Sequence, residues 1–222
     1  MIKINYEKRW DNVKSSLGER DAFVAALPGN TRYLANSESP PGTPPSSTMN
    51  YVVIPKKSEP FAITSSLEEH RCRHESSVKD IRCWTTYPDI KSDGKSALEI
   101  LKSSLKEIKA KQIFTDTKVS LGRSFKVSVS SNVNELRSIK SKAELQRIKK
   151  AIKQSDAGQM FAHNLVESGE GLSEKEVRSE IDYFMARKGI QENSFSTIVA
   201  SGPNSAHSHH SHNSCQSHHS PH

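Results

Sequence analysis

No stretch of the 222-residue sequence approaches the roughly 18 consecutive apolar residues of a membrane-spanning helix, so no spanning helix is expected. The first ten residues, MIKINYEKRW, are charged from the third position with no apolar run behind them, which argues against a secretory signal. Cysteine is scarce: Cys72, Cys83 and Cys215 are odd in number and lack framework spacing, which points to a reducing, cytoplasmic setting. There is no G-x-G-x-x-G and no P-loop pattern, so nucleotide binding has no support. Large apolar residues are also few. Leu, Ile, Val and Phe together number 46, about 21% and close to the level at which chains fail to fold. A net charge of +7 is modest for this length, so one segment must dilute an otherwise foldable chain.

The positive charge is unevenly placed. Residues 1–130 hold 21 Lys or Arg against 15 acids, and residues 131–222 hold 11 against 10. From Arg137 to Lys153, seven basic residues face one acid, Glu144. Clustered cations can contact phosphates, but no aromatic residue lies in that block to stack on a base. The reading is a solvated helix face, not a nucleic-acid partner.

Along residues 1–130 the pattern alternates between strand and helix. Tyr6, Trp10, Val13 and Leu17 share one helical face, and Gly18 supplies a stop. DAFVAALPGN reads as a buried strand ending in a Pro-Gly-Asn turn. The proline-rich stretch 37–48 can form only an exposed loop. Strand-like runs follow at Met49–Ile54, Phe61–Thr64, Ile81–Thr86 and Gln112–Thr115. Leu98, Leu101, Leu105 and Ile108 mark a helix between the last two. Glu68 and Glu69 are expected in solvent on a helix after Leu67. Such alternation defines an α/β unit.

A second unit is expected from about residue 131. Ser141 with Glu144, and Ser173 with Glu176, have capping-box spacing at the heads of two helices that Gly169 and Gly189 close. FSTIVA, residues 195–200, reads as a strand. Residues 201–222 then hold seven His and seven Ser, with Ser at every third position from Ser205 to Ser220. That low-complexity pattern offers no apolar face on which to fold. His70 and His74 flank Cys72, but without the paired short spacings of a structural zinc site they read as surface histidines beside ordinary thiols.

Several stretches taken in order resemble the pita-bread metallopeptidases, which include X-Pro dipeptidases, X-Pro aminopeptidases and creatinases. They are RDAFVAALPGNTRYL, LRSIKSKAELQRIKKAI, LSEKEVRSEIDYFMARKG and FSTIVASGPNSAHSHH. The resemblance implies an α/β fold: a mixed-sheet creatinase/prolidase-like N-terminal domain over 1–130, then an incomplete α+β pita-bread catalytic domain over 131–202. A His/Ser-rich tail, 203–222, completes the chain. The implied activity is hydrolysis of short peptides with Pro after the scissile bond, by a homodimer away from membranes. Its cofactors would be two divalent metal ions (Mn, Co or Zn) sharing a hydroxide. Two metals generate a nucleophile at neutral pH and stabilise the developing oxyanion.

Within Ser201-Gly202-Pro203-Asn204-Ser205-Ala206-His207-Ser208-His209, the resemblance assigns His209 to binding the substrate carbonyl and shuttling protons. An unperturbed imidazole titrates near neutrality, which suits that role. The family's ligands are two Asp, one His and two Glu, and these carboxylates are expected beyond the chain end, because residues 203–222 contain no Asp or Glu. His207, His209, His210, His212, Cys215, His218, His219 and His222 are soft N/S donors and do not replace a carboxylate pair. Resemblance is expected to cease after His210, as in a frameshifted or truncated product, and the chain alone is expected to be inactive. The alternative is a non-catalytic dimerisation or binding module of the same ancestry.

Overall fold

A computed structural model describes residues 2–36, 50–168, 171–190 and 193–210. The chain forms two compact units, one spanning Ile2–Ser141 and the other beginning at Lys142.

The first unit is built on six strands: β1 Asp21–Ala25, β2 Tyr51–Pro55, β3 Phe61–Ser65, β4 Asp80–Trp84, β5 Gln112–Thr115 and β6 Lys126–Val129. Their order across the sheet is β4-β3-β2-β1-β5-β6. β1–β2 and β2–β3 are antiparallel, whereas β1–β5, β3–β4 and β5–β6 are parallel. Helices α1 Tyr6–Ser15, α2 Pro28–Ala35, α3 Glu69–Glu75, α4 Ala97–Glu107 and α5 Asn132–Ser138 complete the unit. Because strand side chains alternate in direction, the central strands feed two cores. Phe23, Ala25, Val52 and Ile54 pack with Val13, Leu34, Cys72 and Val133 from α1, α2, α3 and α5. Ala22, Val24, Val53 and Phe61 pack with Ile100, Leu101 and Leu105 of α4. Burial on both faces explains why these strands read as continuous apolar runs rather than alternating ones.

Several sequence expectations change here. β1 ends at Ala25, and Pro28 starts a helix instead of a turn. Proline suits the first helical position because its missing N–H would be unpaired there anyway. The Asp116 carboxylate accepts hydrogen bonds from the backbone N–H groups of Ala26 and Leu27 and from Asn30 Nδ2. The other end of Asn30 accepts from Arg137 Nη1 at 2.9 Å. Thus α5, which follows the division expected near residue 130, packs within the first unit. Glu68 and Glu69 are not free in solvent: Arg71 pairs with Glu68 and Glu75, and Arg73 pairs with Glu69. Strand β6 had no clear sequence signal. The proline-rich stretch 37–48 lies outside the described residues.

The second unit holds α6 Lys142–Glu167, α7 Glu174–Arg187 and a short 3-10 helix, Gly202–Ala206. Ser173 and Glu176 form the expected capping box at the head of α7. The two helices meet closely where a Cβ on Gly158 would lie 2.5 Å from Met185 Sδ. Phe161 and Phe184 stack there with ring centroids 4.3 Å apart. Leu145, Ile148 and Ile152 on α6 remain exposed. FSTIVA is not a strand: residues 195–200 carry no ladder pairing. Its β-branched and aromatic residues satisfy strand propensity, yet among the described residues no strand pairs with it.

Candidate active site

The segment that carries His209 has little regular structure, so its backbone donors need other acceptors. Helix α7 supplies them. Near its C-terminal half, Asp182 Oδ1 accepts from Thr197 Oγ1 at 2.5 Å and from Asn193 Nδ2 at 3.0 Å. At its first residue, Glu174 Oε1 accepts from the Ser201 N–H at 2.5 Å and from Ser201 Oγ at 3.0 Å. Asn204 Nδ2 donates to both Glu174 oxygens at 3.1 Å. His210 Nε2 lies 3.1 Å from Glu174 Oε2, with both side chains largely covered, at 14% and 15% exposure.

One carboxylate therefore gathers three residues of a ten-residue segment. The Ser201 N–H does most to hold the Glu174 carboxyl down at about 2, with Asn204, the Ser201 hydroxyl and His210 adding to it against the opposing effect of burial. The carboxylate is ionised across the physiological range. Within the turn, Ser205 Oγ donates to Gly202 O and the His207 N–H donates to Asn204 O. Gly202 takes a positive φ of 47°, a conformation glycine adopts without a Cβ clash.

The structure places His209 immediately after this pinned turn, exposed to solvent, beside His210, which is turned onto Glu174. His207 is exposed as well. His212, Cys215, His218, His219 and His222 lie outside the described residues. In the first unit, Cys72 and Cys83 are both buried and neither forms a disulfide. Burial, together with Glu69, pushes the Cys83 thiol up to about 12, so it is no nucleophile at neutral pH. His70 and His74 are exposed on α3. Sequence reasoning missed Glu174 and Asp182. No local pattern marks either acid, because their partners lie 11 to 36 residues away along the chain.

The described residues do not fit a pair of metals. Among the described residues, no group of three or more His, Cys, Asp or Glu side chains stands together to hold an ion. Glu174 is committed to Ser201, Asn204 and His210.

The chain thus combines an α/β unit on a mixed sheet with a helical unit whose second helix pins a histidine-bearing turn. Comparison with known proteins shows what parts of the chain are similar to. Residues 146–220 match the model of Metallopeptidase family M24. The match runs past His210, where the residues were expected to stop resembling the family. Over 74 residues the chain is 39% identical to the Xaa-Pro dipeptidase of Pyrococcus furiosus, covering 33% of this chain and 21% of that protein. It is 36% identical over 117 residues to the putative dipeptidase YkvY of Bacillus subtilis, covering 50% of this chain and 29% of that protein.

The fold is the prolidase-like pita-bread fold of solved structures. An Xaa-Pro dipeptidase from Bacillus anthracis aligns with a TM-score of 0.68 at 23% identity, over 92% of this chain and 56% of that one. An X-Pro aminopeptidase from Thermotoga maritima aligns with a TM-score of 0.71 at 21% identity, over 93% and 55%. The chain thus spans a little over half the length of the structures it resembles, and its matches cover under a third of the curated relatives. Among the described residues, no helix is long and apolar enough to cross a membrane.

Proposed function

We propose that this chain forms the N-terminal unit and the opening of the catalytic unit of a cytoplasmic, homodimeric X-Pro peptidase. Its substrates are short peptides with proline after the scissile bond. The observation that carries this reading is the Ser201–His210 turn, pinned by Glu174 inside the stretch that matches Metallopeptidase family M24. The family's two divalent ions belong to the part of the relatives' length that this chain does not span, and no step is assigned to them here. What this chain's own residues contribute is the presentation of His209. Its exposed imidazole follows a turn already fixed by hydrogen bonds, so it can meet a substrate carbonyl and pass a proton with little reordering.

The test begins with the nucleotide sequence after codon 220, where the family match ends, read in all three frames. This reading expects one frame to supply two Asp, a His and two Glu. A chain carried into that frame should hydrolyse Xaa-Pro dipeptides with added manganese or cobalt. In it, His209→Ala should lower kcat about 10²-fold or more, the scale of a lost proton-transfer group. Absence of such a frame, or full activity in the His209→Ala protein, removes the reading.

A further inference from the structure

We infer that Glu174 is a positioning residue for His209: by clasping Ser201, Asn204 and His210 at the head of α7, it sets where the histidine-bearing turn leaves the fold. This rests on the reading of His209 as a substrate-facing group, but the clasp itself can be tested without any turnover. An acid in the first turn of a helix ordinarily answers that helix's own N–H groups and dipole. At α7 that local task is already met by Ser173 and Glu176, whose side chains complete the capping box. Glu174 instead faces away along the chain, with partners 27 to 36 residues later.

The placement of its partners is what makes the contact a clasp. Ser201 precedes the 3-10 helix, Asn204 lies inside it, and His210 stands beyond its end. Fixing a turn at its entrance, its middle and its exit leaves His209, the residue before the last anchor, little backbone freedom. Its side chain remains exposed. Catalytic groups gain when supporting hydrogen bonds fix them before substrate arrives. Asp182, holding Thr197 and Asn193, fixes the approach to the same turn from further along α7. Together the two carboxylates anchor residues 193–210, which pair with no strand among the described residues.

The experiment uses the intact chain labelled with 15N and 13C, following amide exchange and the imidazole Cε1–H signals. In the wild type, the Ser201 amide should be protected and His209 should give one sharp ring signal. Glu174→Ala should speed Ser201 exchange about tenfold or more and shift the ring signals of His209 and His210, with Val177 and Met185 amides unchanged. Glu174→Gln keeps an acceptor for the Ser201 N–H, so Ser201 protection should partly return while the His210 signal stays displaced. Asn204→Ala, which leaves α7 untouched, should move the same two histidine signals.

If Ser201 exchanges equally fast in the wild type and in Glu174→Ala, the clasp does not exist. If Glu174→Ala melts α7 while Asn204→Ala leaves the turn unchanged, Glu174 serves the helix alone and the proposal falls. A clasp that holds by exchange, in a protein whose His209→Ala form keeps full peptidase activity, overturns the role given to His209 and not the clasp.

Discussion

Asp116→Ala should destabilise the first unit by about 2–4 kcal/mol. Asp116 is 8% exposed and accepts from Ala26 N at 2.9 Å, Leu27 N at 3.1 Å and Asn30 Nδ2 at 2.9 Å. Leu27 lies at the surface, so water can replace the lost acceptor for its N–H. Asn30 is fully buried, and its amide would have no water to turn to. A stranded buried donor costs roughly 1–3 kcal/mol, and the half-covered Ala26 N–H adds about another 1. The loss propagates, because the Asn30 orientation that serves Asp116 also presents Oδ1 to Arg137. Both tryptophans of the chain, Trp10 and Trp84, lie in this unit, so urea unfolding followed by fluorescence reports on it alone. With a urea slope of about 2 kcal/mol per molar, the midpoint should fall by about 1–2 M. A double-mutant cycle with Arg137→Ala should give a coupling above about 0.5 kcal/mol. A midpoint shift below about 0.25 M, or strict additivity with Arg137→Ala, would refute the network.

Acid should release the histidine-bearing turn before it unfolds the first unit. Glu174 titrates lower when folded than when unfolded, so its contribution is complete above the ordinary carboxylate range and drains away as pH falls from about 4.5 toward 2. Ser201 amide exchange against pH should show the loss in that window, and protection that survives to pH 2 would contradict it. The purified 222-residue chain should show no metal-dependent cleavage of Xaa-Pro dipeptides with manganese, cobalt or zinc; turnover that co-elutes with the chain would contradict this. Phe184→Ala removes one ring of the half-buried stack with Phe161 and should cost about 1–2 kcal/mol, from roughly half the burial of a full side chain together with the lost ring pair. The loss should appear as faster amide exchange across α6 and α7 with the tryptophan signal unmoved, and unchanged exchange would show that the stack holds nothing.

What the sequence made legible was whatever depends on local pattern. Leu98, Leu101 and Leu105 announced α4 because helical spacing survives any context. β1, β2, β3 and β5 were visible because a sheet covered on both faces needs unbroken apolar runs. The failures share a cause in distance along the chain. Pro28-Gly29-Asn30 has turn chemistry, and it became a helix head because Asp116, ninety residues from Ala26, accepts its entering N–H groups. FSTIVA has strand chemistry, but Thr197 turns to Asp182 and no strand among the described residues pairs with it. His209 was legible through resemblance alone. Glu174 was not legible at all, because an acid in the first helical turn looks the same whether it serves its own helix or a turn 27 residues on.

The two units solve the same physical problem in the same way. Each has an irregular stretch of backbone whose donors cannot join a ladder, and each answers with one carboxylate from elsewhere that accepts both main-chain and side-chain donors. A carboxylate suits the task because its two oxygens accept several hydrogen bonds at once, and charge makes each bond stronger than one to a neutral acceptor. In the first unit the acid fixes the start of α2 and, through Asn30, the anchoring of Arg137. In the second it fixes the exit of the turn that ends at His209 and His210. The difference lies in what the pinned backbone carries. Around Asp116 it leads into a buried helix face of Leu34 and Ala35, so its loss is felt as stability. Around Glu174 it leads to an exposed imidazole, so its loss should be felt in where that imidazole stands.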